Sequence, residues 1–185
     1  MRRFIDIAIT ILSFPLVLFL CFFLSIFIRL ESSGSTIFCS ERVGKNGNTF
    51  VMFKLRTMKI DAPLIPTSES KIANYVTRLG RILRLLSLDE LPQLLNILNG
   101  SMTLIGPRPC LKSQRDLIIK RKYYGIIKMT PGLTGLAQVK GRDNLSIRNK
   151  IRYENFYLKN QSIRLNIYIF FMSFLKIFKI NEVDH

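Results

Sequence analysis

From Phe4 to Leu30 the chain is almost continuously apolar, interrupted only by Asp6, Thr10, Ser13, Pro15, Ser25 and Arg29. Roughly 24 helical residues reach about 36 Å, long enough to cross the hydrocarbon of a bilayer. The run exceeds the apolar region of a cleavable signal peptide, although Ser32, Ser33, Gly34 and Ser35 resemble a cleavage site. Pro15 lies near its middle, where a missing N–H and a ring that collides with the preceding turn predict a kink or break. Arg2 and Arg3 flank one end, while Arg29 and a basic remainder flank the other, so the positive-inside rule places both ends in the cytoplasm. A re-entrant helical hairpin broken near Ser13 and Pro15 meets both constraints. Each arm of about 10 to 15 residues enters one leaflet, with Ser13 or water covering the backbone groups that Pro15 frees. A Pro-kinked single span is the alternative on these residues alone.

The remainder supports a folded domain: over the whole chain of 185 residues 48% are apolar and 22% charged. Its 28 Lys and Arg against 12 Asp and Glu give a net charge of +16, which asks for an anionic partner: lipid headgroups, phosphorylated substrates or nucleic acid. Cys21, Cys39 and Cys110 are odd in number and lack a C-x-x-C spacing, so neither a disulfide framework nor a zinc site is indicated. The one histidine is the terminal His185, which sets aside Ser-His-Asp and Cys-His chemistry.

The organisation reads as mixed α/β and helix-rich. Thr36–Phe38 and Thr49–Phe53 are expected as short strands of a hairpin turning at Gly44–Asn48. A loop is expected over Asp61–Ser70, then helices over about Val76–Leu86 and Ser87–Leu98, ended by Asn99-Gly100. A basic helix is placed near Cys110–Tyr124. Ile163–Ile180, rich in Ile and Phe but carrying Arg164, Asn166, Lys176 and Lys179, fits an amphipathic helix in the membrane interface; a terminal core helix is the competing reading. The chain thus divides into a membrane segment, 1–30, and a domain, 31–185.

Chemistry concentrates in Ser87-Leu88-Asp89-Glu90-Leu91-Pro92-Gln93. On one reading Ser87 and Glu90 form a capping box at a helix start. On the other, Asp89, held ionised among helix amides and basic residues, attacks phosphorus, while Glu90 holds a magnesium ion that shields the phosphate oxygens. The two are compatible. Lys54, Arg56, Arg84, Arg108 and Arg142 fall where phosphate clamps would serve, and two prolines fix the backbone of Arg108. Phosphoryl transfer needs positioning and charge neutralisation more than a proton shuttle, so arginines and a metal suffice without histidine.

These motifs resemble, in order and over nearly the whole chain, the monotopic phosphoglycosyl transferases, the bacterial sugar transferase family of the small catalytic-core type. The shared stretches are Glu-Arg-Val-Gly at 41–44, Phe-Lys-Leu-Arg-Thr-Met at 53–58, Thr-Arg-Leu-Gly-Arg at 77–81 and Ser-Leu-Asp-Glu-Leu-Pro-Gln at 87–93. Gly-Pro-Arg-Pro at 106–109, Pro-Gly-Leu-Thr-Gly at 131–135 and Ala-Gln-Val-Lys-Gly-Arg at 137–142 continue the series. The resemblance implies transfer of a sugar 1-phosphate from a UDP-sugar to polyprenyl phosphate, with Asp89 as nucleophile, Glu90 associated with Mg2+, and UMP released. It implies phosphate contacts from Arg56, Arg84 and Arg108, nucleotide-sugar contacts from Gln138 and Arg142, and a catalytic domain on the cytoplasmic face of the bacterial inner membrane. Membrane lipid is then the partner of the positive charge, no nucleic acid is expected, and a homodimer is compatible. Three positions depart from the family pattern: Phe14 separates Ser13 from Pro15, Ser101 stands where Asp is common, and Asn166 where Asp is frequent. A basic membrane-anchored lipid- or nucleic-acid-binding module, the reading from another class, explains the charge and the anchor but not an acidic pair among arginines.

Overall fold

A computed structural model describes residues 2–62, 74–141 and 144–178. The apolar run forms one helix, α1 (Arg2–Glu31). Asp6, Thr10, Val17 and Ile28 recur at helical spacing and make a buried stripe, while Phe4, Leu12, Leu16, Phe19, Phe22, Phe27 and Leu30 point outward. The expected break is not an interruption of the helix, which continues through Pro15. Pro15 can give nothing to the Ile11 carbonyl, and Ser13 does not take its place: the hydroxyl donates to the carbonyls of Ile9 (2.9 Å) and Thr10 (3.1 Å).

Both ends of α1 are tied to the rest of the chain. At its start Arg2 donates to the Ile105 carbonyl and to the Tyr157 hydroxyl, and Arg3 donates to the Leu98 carbonyl. At its end Arg56 donates to the carbonyls of Ser32 (2.6 Å) and Ser33 (2.7 Å), and Glu31 accepts from the Leu79 amide. Between them Val17 packs with Met52, Leu94, Ile97 and Met102, and Ile28 with Leu55 and Leu83.

β1 (Ile37–Val43) and β2 (Thr49–Leu55) pair antiparallel, from Ile37 opposite Leu55 to Val43 opposite Thr49. Both are longer than the alternation suggested, and the Gly44–Asn48 turn lies where expected, with Asn46 and Gly47 at positive φ. Helix α2 (Arg78–Leu85) begins at Thr77, whose hydroxyl accepts from the Gly80 amide, and α3 covers Gln93–Leu98. The loop expected over Asp61–Ser70 is described only at Asp61 and Ala62, the rest lying outside the described residues. A second sheet was not foreseen: β3 (Thr103–Ile105) and β4 (Gly132–Thr134) run parallel. Each strand has three residues, too few for alternation to show. The pair closes through Gly106 and Gly132, where a Cβ on Gly132 would stand 2.0 Å from the Gly106 nitrogen.

Helix α4 (Arg115–Tyr123) starts later than the sequence suggested, and α5 (Leu136–Lys140), α6 (Ile147–Lys159) and α7 (Ile163–Phe178) complete the fold. One face of α7 (Leu165, Ile169, Met172) packs on a core containing Ile105, Leu117, Ile126, Leu136 and Ile151. That packed face matches the core-helix reading of this segment, while the other face exposes Ile163, Ile167, Phe170, Phe171 and Phe174. Asn166 accepts from the Tyr157 hydroxyl (2.7 Å), and burial pushes that phenol above its ordinary pKa, keeping it protonated as a donor.

Arg121 of α4 and Glu154 of α6 form a buried bidentate pair at 2.5 and 2.8 Å. Burial works against the Arg121 charge, but Glu154 more than reverses it and holds the guanidinium above its usual pKa. Removing one member strands the other without water. We predict that Arg121→Met lowers stability by about 3–5 kcal/mol, and that the pair Arg121→Met, Glu154→Leu recovers most of the loss. Denaturant titration of the detergent-solubilised protein checks both.

Candidate active site

The acidic pair is presented by a tightly wound segment between α2 and α3. Ser87 adopts the left-handed conformation (φ 56°), turning the chain out of α2, and Leu88–Glu90 then form a 3-10 turn. The capping box read from Ser87 and Glu90 is therefore corrected: Ser87 makes no side-chain cap bond, and regular helix begins only after Pro92. Pro92 cannot donate an intrahelical bond, so it favours this delayed start. Backbone bonds three residues apart continue through the segment, from Leu91 to Leu88 and from Leu94 to Leu91.

Residues three apart fall on one side both of the 3-10 turn and of the α-helix that follows it. That spacing brings together Glu90 of the turn and Gln93 and Asn96 of α3, which are 7%, 1% and 0% exposed in a stretch otherwise rich in leucine. Asn96 accepts from the Phe53 amide (3.0 Å) and donates to the Val51 carbonyl (2.7 Å), serving the edge of β2 as a third strand would. The adjacent Lys54 is thereby fixed over the acidic pair, its Nζ 3.1 Å from Asp89 Oδ2 and 2.9 Å from Glu90 Oε1. Arg108 reaches the same Glu90 oxygen at 2.8 Å. Two carboxylates and two cations balance in charge, which offsets the cost of burying each of them.

Arg108 is delivered by the loop that leaves β3. Gly106 N donates to the Thr134 carbonyl, the Pro107 carbonyl accepts from Gly132 N, and the Arg108 carbonyl accepts from buried Arg121 (2.9 Å). Lys54, Asp89, Glu90 and Arg108 thus converge. Arg56 instead turns to the end of α1, with its Nε buried and unpaired. Arg84 donates to the Thr57 hydroxyl (2.9 Å), beside the turn that carries the dyad. Gln138 donates to the Leu133 carbonyl in the segment after β4, leaving Oε1 buried and unpaired. Arg142 lies outside the described residues.

Asn96, Arg121 and the left-handed Ser87 escaped the sequence reading. The first had a signal: Gln93 and Asn96 are polar residues three apart inside Gln-Leu-Leu-Asn-Ile-Leu. Ser101, one of the departures from the family pattern, bonds to Asn96 and Asn99 and closes the far end of this polar column. The Cys110 thiol is buried, which raises its pKa and leaves it a poor nucleophile. Among the described residues no cluster of three or more carboxylate, histidine or cysteine side chains could enclose a metal. Two adjacent carboxylates offer hard oxygen donors of the kind a magnesium ion takes.

A family model described as bacterial sugar transferase matches residues 1–180. An exopolysaccharide production protein, ExoY, of Sinorhizobium fredii is 33% identical over 186 residues, covering 92% of this chain and 82% of its own. The UDP-glucose:undecaprenyl-phosphate glucose-1-phosphate transferase of Caulobacter vibrioides is 42% identical over 144 residues, covering 76% of this chain and 54% of its own. The undecaprenyl-phosphate galactose phosphotransferase of Salmonella typhimurium is 32% identical over 183 residues, covering 90% of this chain and 37% of its own. The chain therefore spans most of the first relative and about half or less of the other two.

The cluster makes a stability prediction independent of any reaction. Lys54→Met removes the cation that both carboxylates share and lowers stability by about 3–5 kcal/mol. Adding Asp89→Asn, which removes one charge of the pair, restores at least half of that loss. Denaturation of the single and double variants in one detergent decides the matter.

Proposed function

The chain belongs to the bacterial sugar transferase family, and from that premise we propose that it moves a sugar 1-phosphate from a UDP-sugar to a polyprenyl phosphate, such as undecaprenyl phosphate, and releases UMP. The observation that carries this reading is the buried Asp89–Glu90 pair held by Lys54 and Arg108. A basic module that merely bound lipid or nucleic acid would have no use for two buried carboxylates.

In the first step an Asp89 oxygen attacks the phosphorus that bears the sugar. The bond to the UMP oxygen breaks, UMP leaves with the electron pair, and a phosphosugar remains as an acyl phosphate on Asp89. In the second, an oxygen of polyprenyl phosphate attacks the same phosphorus and the Asp89 carboxylate departs. Neither step needs a proton shuttle, in keeping with a chain whose one histidine is terminal. Glu90, with Asp89 beside it, would hold Mg2+, which when bound neutralises the donor phosphates and steadies the leaving group. Arg108 and Lys54 orient the carboxylates and meet the incoming negative charge, and Arg84 stands next to the turn to receive the phosphates. Gln138 and Arg142 are assigned to the nucleotide-sugar on the resemblance of their motif.

The membrane arrangement belongs to the same proposal. Arg2 is bonded to Ile105 and Tyr157 while Glu31 and Ser32 are bonded to Leu79 and Arg56. Both ends of α1 are thus tied to one domain, which supports a monotopic helix over residues 1–30 beneath a catalytic domain over 31–185; the re-entrant reading rests on Pro15 and on the basic residues at both ends. The chain's net charge of +16 supports a location at the anionic cytoplasmic face, and the exposed apolar side of α7 supports a helix resting in the interface.

UMP release by detergent-solubilised protein, given Mg2+ and undecaprenyl phosphate across a panel of UDP-sugars, tests the reading. Release should be sugar-selective and fall by at least about 10^3-fold in Asp89→Asn. Glu90→Gln should raise the Mg2+ concentration needed for half-maximal rate. Full activity in Asp89→Asn would remove the nucleophile assignment.

A further inference from the structure

Asp6 is a carboxylate in the second turn of a largely apolar helix, 6% exposed, and no step of the proposed reaction uses it. One oxygen, Oδ2, accepts from the Thr103 hydroxyl, and the other, Oδ1, accepts from the backbone amide of Leu104 at 3.4 Å. Both partners are in β3, and the next residue, Ile105, gives its carbonyl to Arg2. The chain from there to Arg108 has little freedom. Gly106 is wedged against Thr130 and Gly132, Pro107 and Pro109 fix φ, and the Arg108 carbonyl is bonded to Arg121. A carboxylate buried in an apolar helix costs several kcal/mol unless its bonds are worth keeping; here they pin the strand whose extension carries Arg108 to Glu90.

We propose that Asp6, at the start of the membrane helix, is a positioning residue for Arg108, acting through the Thr103 hydroxyl and the Leu104 amide to set where β3 releases the Gly106–Pro109 loop. The membrane helix is then a working part of the active site as well as its anchor. The complementary end of α1 has the same relation to the other cation. Arg56, which holds the carbonyls of Ser32 and Ser33, is two residues after Lys54, so each cation of the dyad leads along the chain to one end of α1. This inference rests on the phosphoglycosyl transfer reading only for its kinetic readout.

The experiment uses the full chain in detergent with Mg2+, undecaprenyl phosphate and the donor that gives UMP. Asp6→Asn keeps the size of the side chain and loses one acceptor, and Thr103→Val loses the hydroxyl; each should lower kcat about tenfold with KM for the donor changed less than twofold. Thr103→Ser, which keeps the hydroxyl, should restore wild-type kcat. In an Arg108→Lys background Asp6→Asn should cost less than twofold more, because its effect passes through the residue already changed. Hydrogen exchange provides a second readout free of turnover: the amides from Thr103 to Arg108 should exchange about tenfold faster in Asp6→Asn and Thr103→Val, with α6 unchanged. Wild-type kcat in both single variants, or equal losses in the two Arg108 backgrounds, would overturn the proposal. So would unchanged exchange over 103–108. Faster exchange there in a protein that releases no UMP from any donor would leave the positioning role standing and remove the functional reading instead.

Discussion

Two carboxylates on consecutive residues, both more than nine-tenths buried, repel each other and have lost most of their water. They are tolerable only because Lys54 lies between them and Arg108 closes on Glu90 from the other side. Those cations come from places 54 residues apart in sequence, so the remaining architecture can be understood as what delivers them. Asn96 completes the edge of β2 and sets the register of Lys54. Gly106 and Gly132 let β3 and β4 approach closely enough to aim the next loop, and Arg121 receives its turn. Ser87 accepts a backbone conformation that costs a non-glycine residue about 1–2 kcal/mol, so that the acidic pair faces inward.

The long apolar helix belongs to this machinery more closely than an anchor need do. Its buried stripe is polar where it meets β3, at Asp6, and apolar where Val17 meets β2 and α3 and where Ile28 meets β2 and α2. The exposed sides of α1 and α7 are as apolar as the buried ones, and only a nonaqueous surrounding makes sense of Phe19, Phe22, Phe170 and Phe171 on the outside of a folded chain.

Asp89, Glu90, Lys54 and Arg108 were singled out from the sequence by their charge, and the fold brings those four side chains together; the hairpin was legible because Gly44–Asn48 carries turn chemistry. β3 and β4 were not, since three-residue strands have no period and their pairing depends on glycines 26 residues apart. The start of α3 was misplaced because Ser87 and Glu90 have the spacing of a cap, and only the positive φ of Ser87 rules that geometry out. Arg56 was read as a phosphate ligand from its neighbours, while its bonds go to the end of α1; charge identifies a residue's chemistry, and only the fold gives its partner.

Ionic strength acts unequally on a molecule built this way. Salt screens charges that face water, such as the exposed Lys112–Glu41 pair. It has little access to Lys54 between the carboxylates or to Arg121 against Glu154. Raising it therefore weakens ionic contacts on the water-facing surface while leaving the interior pairs that hold Asp89, Glu90 and Arg121 as they were.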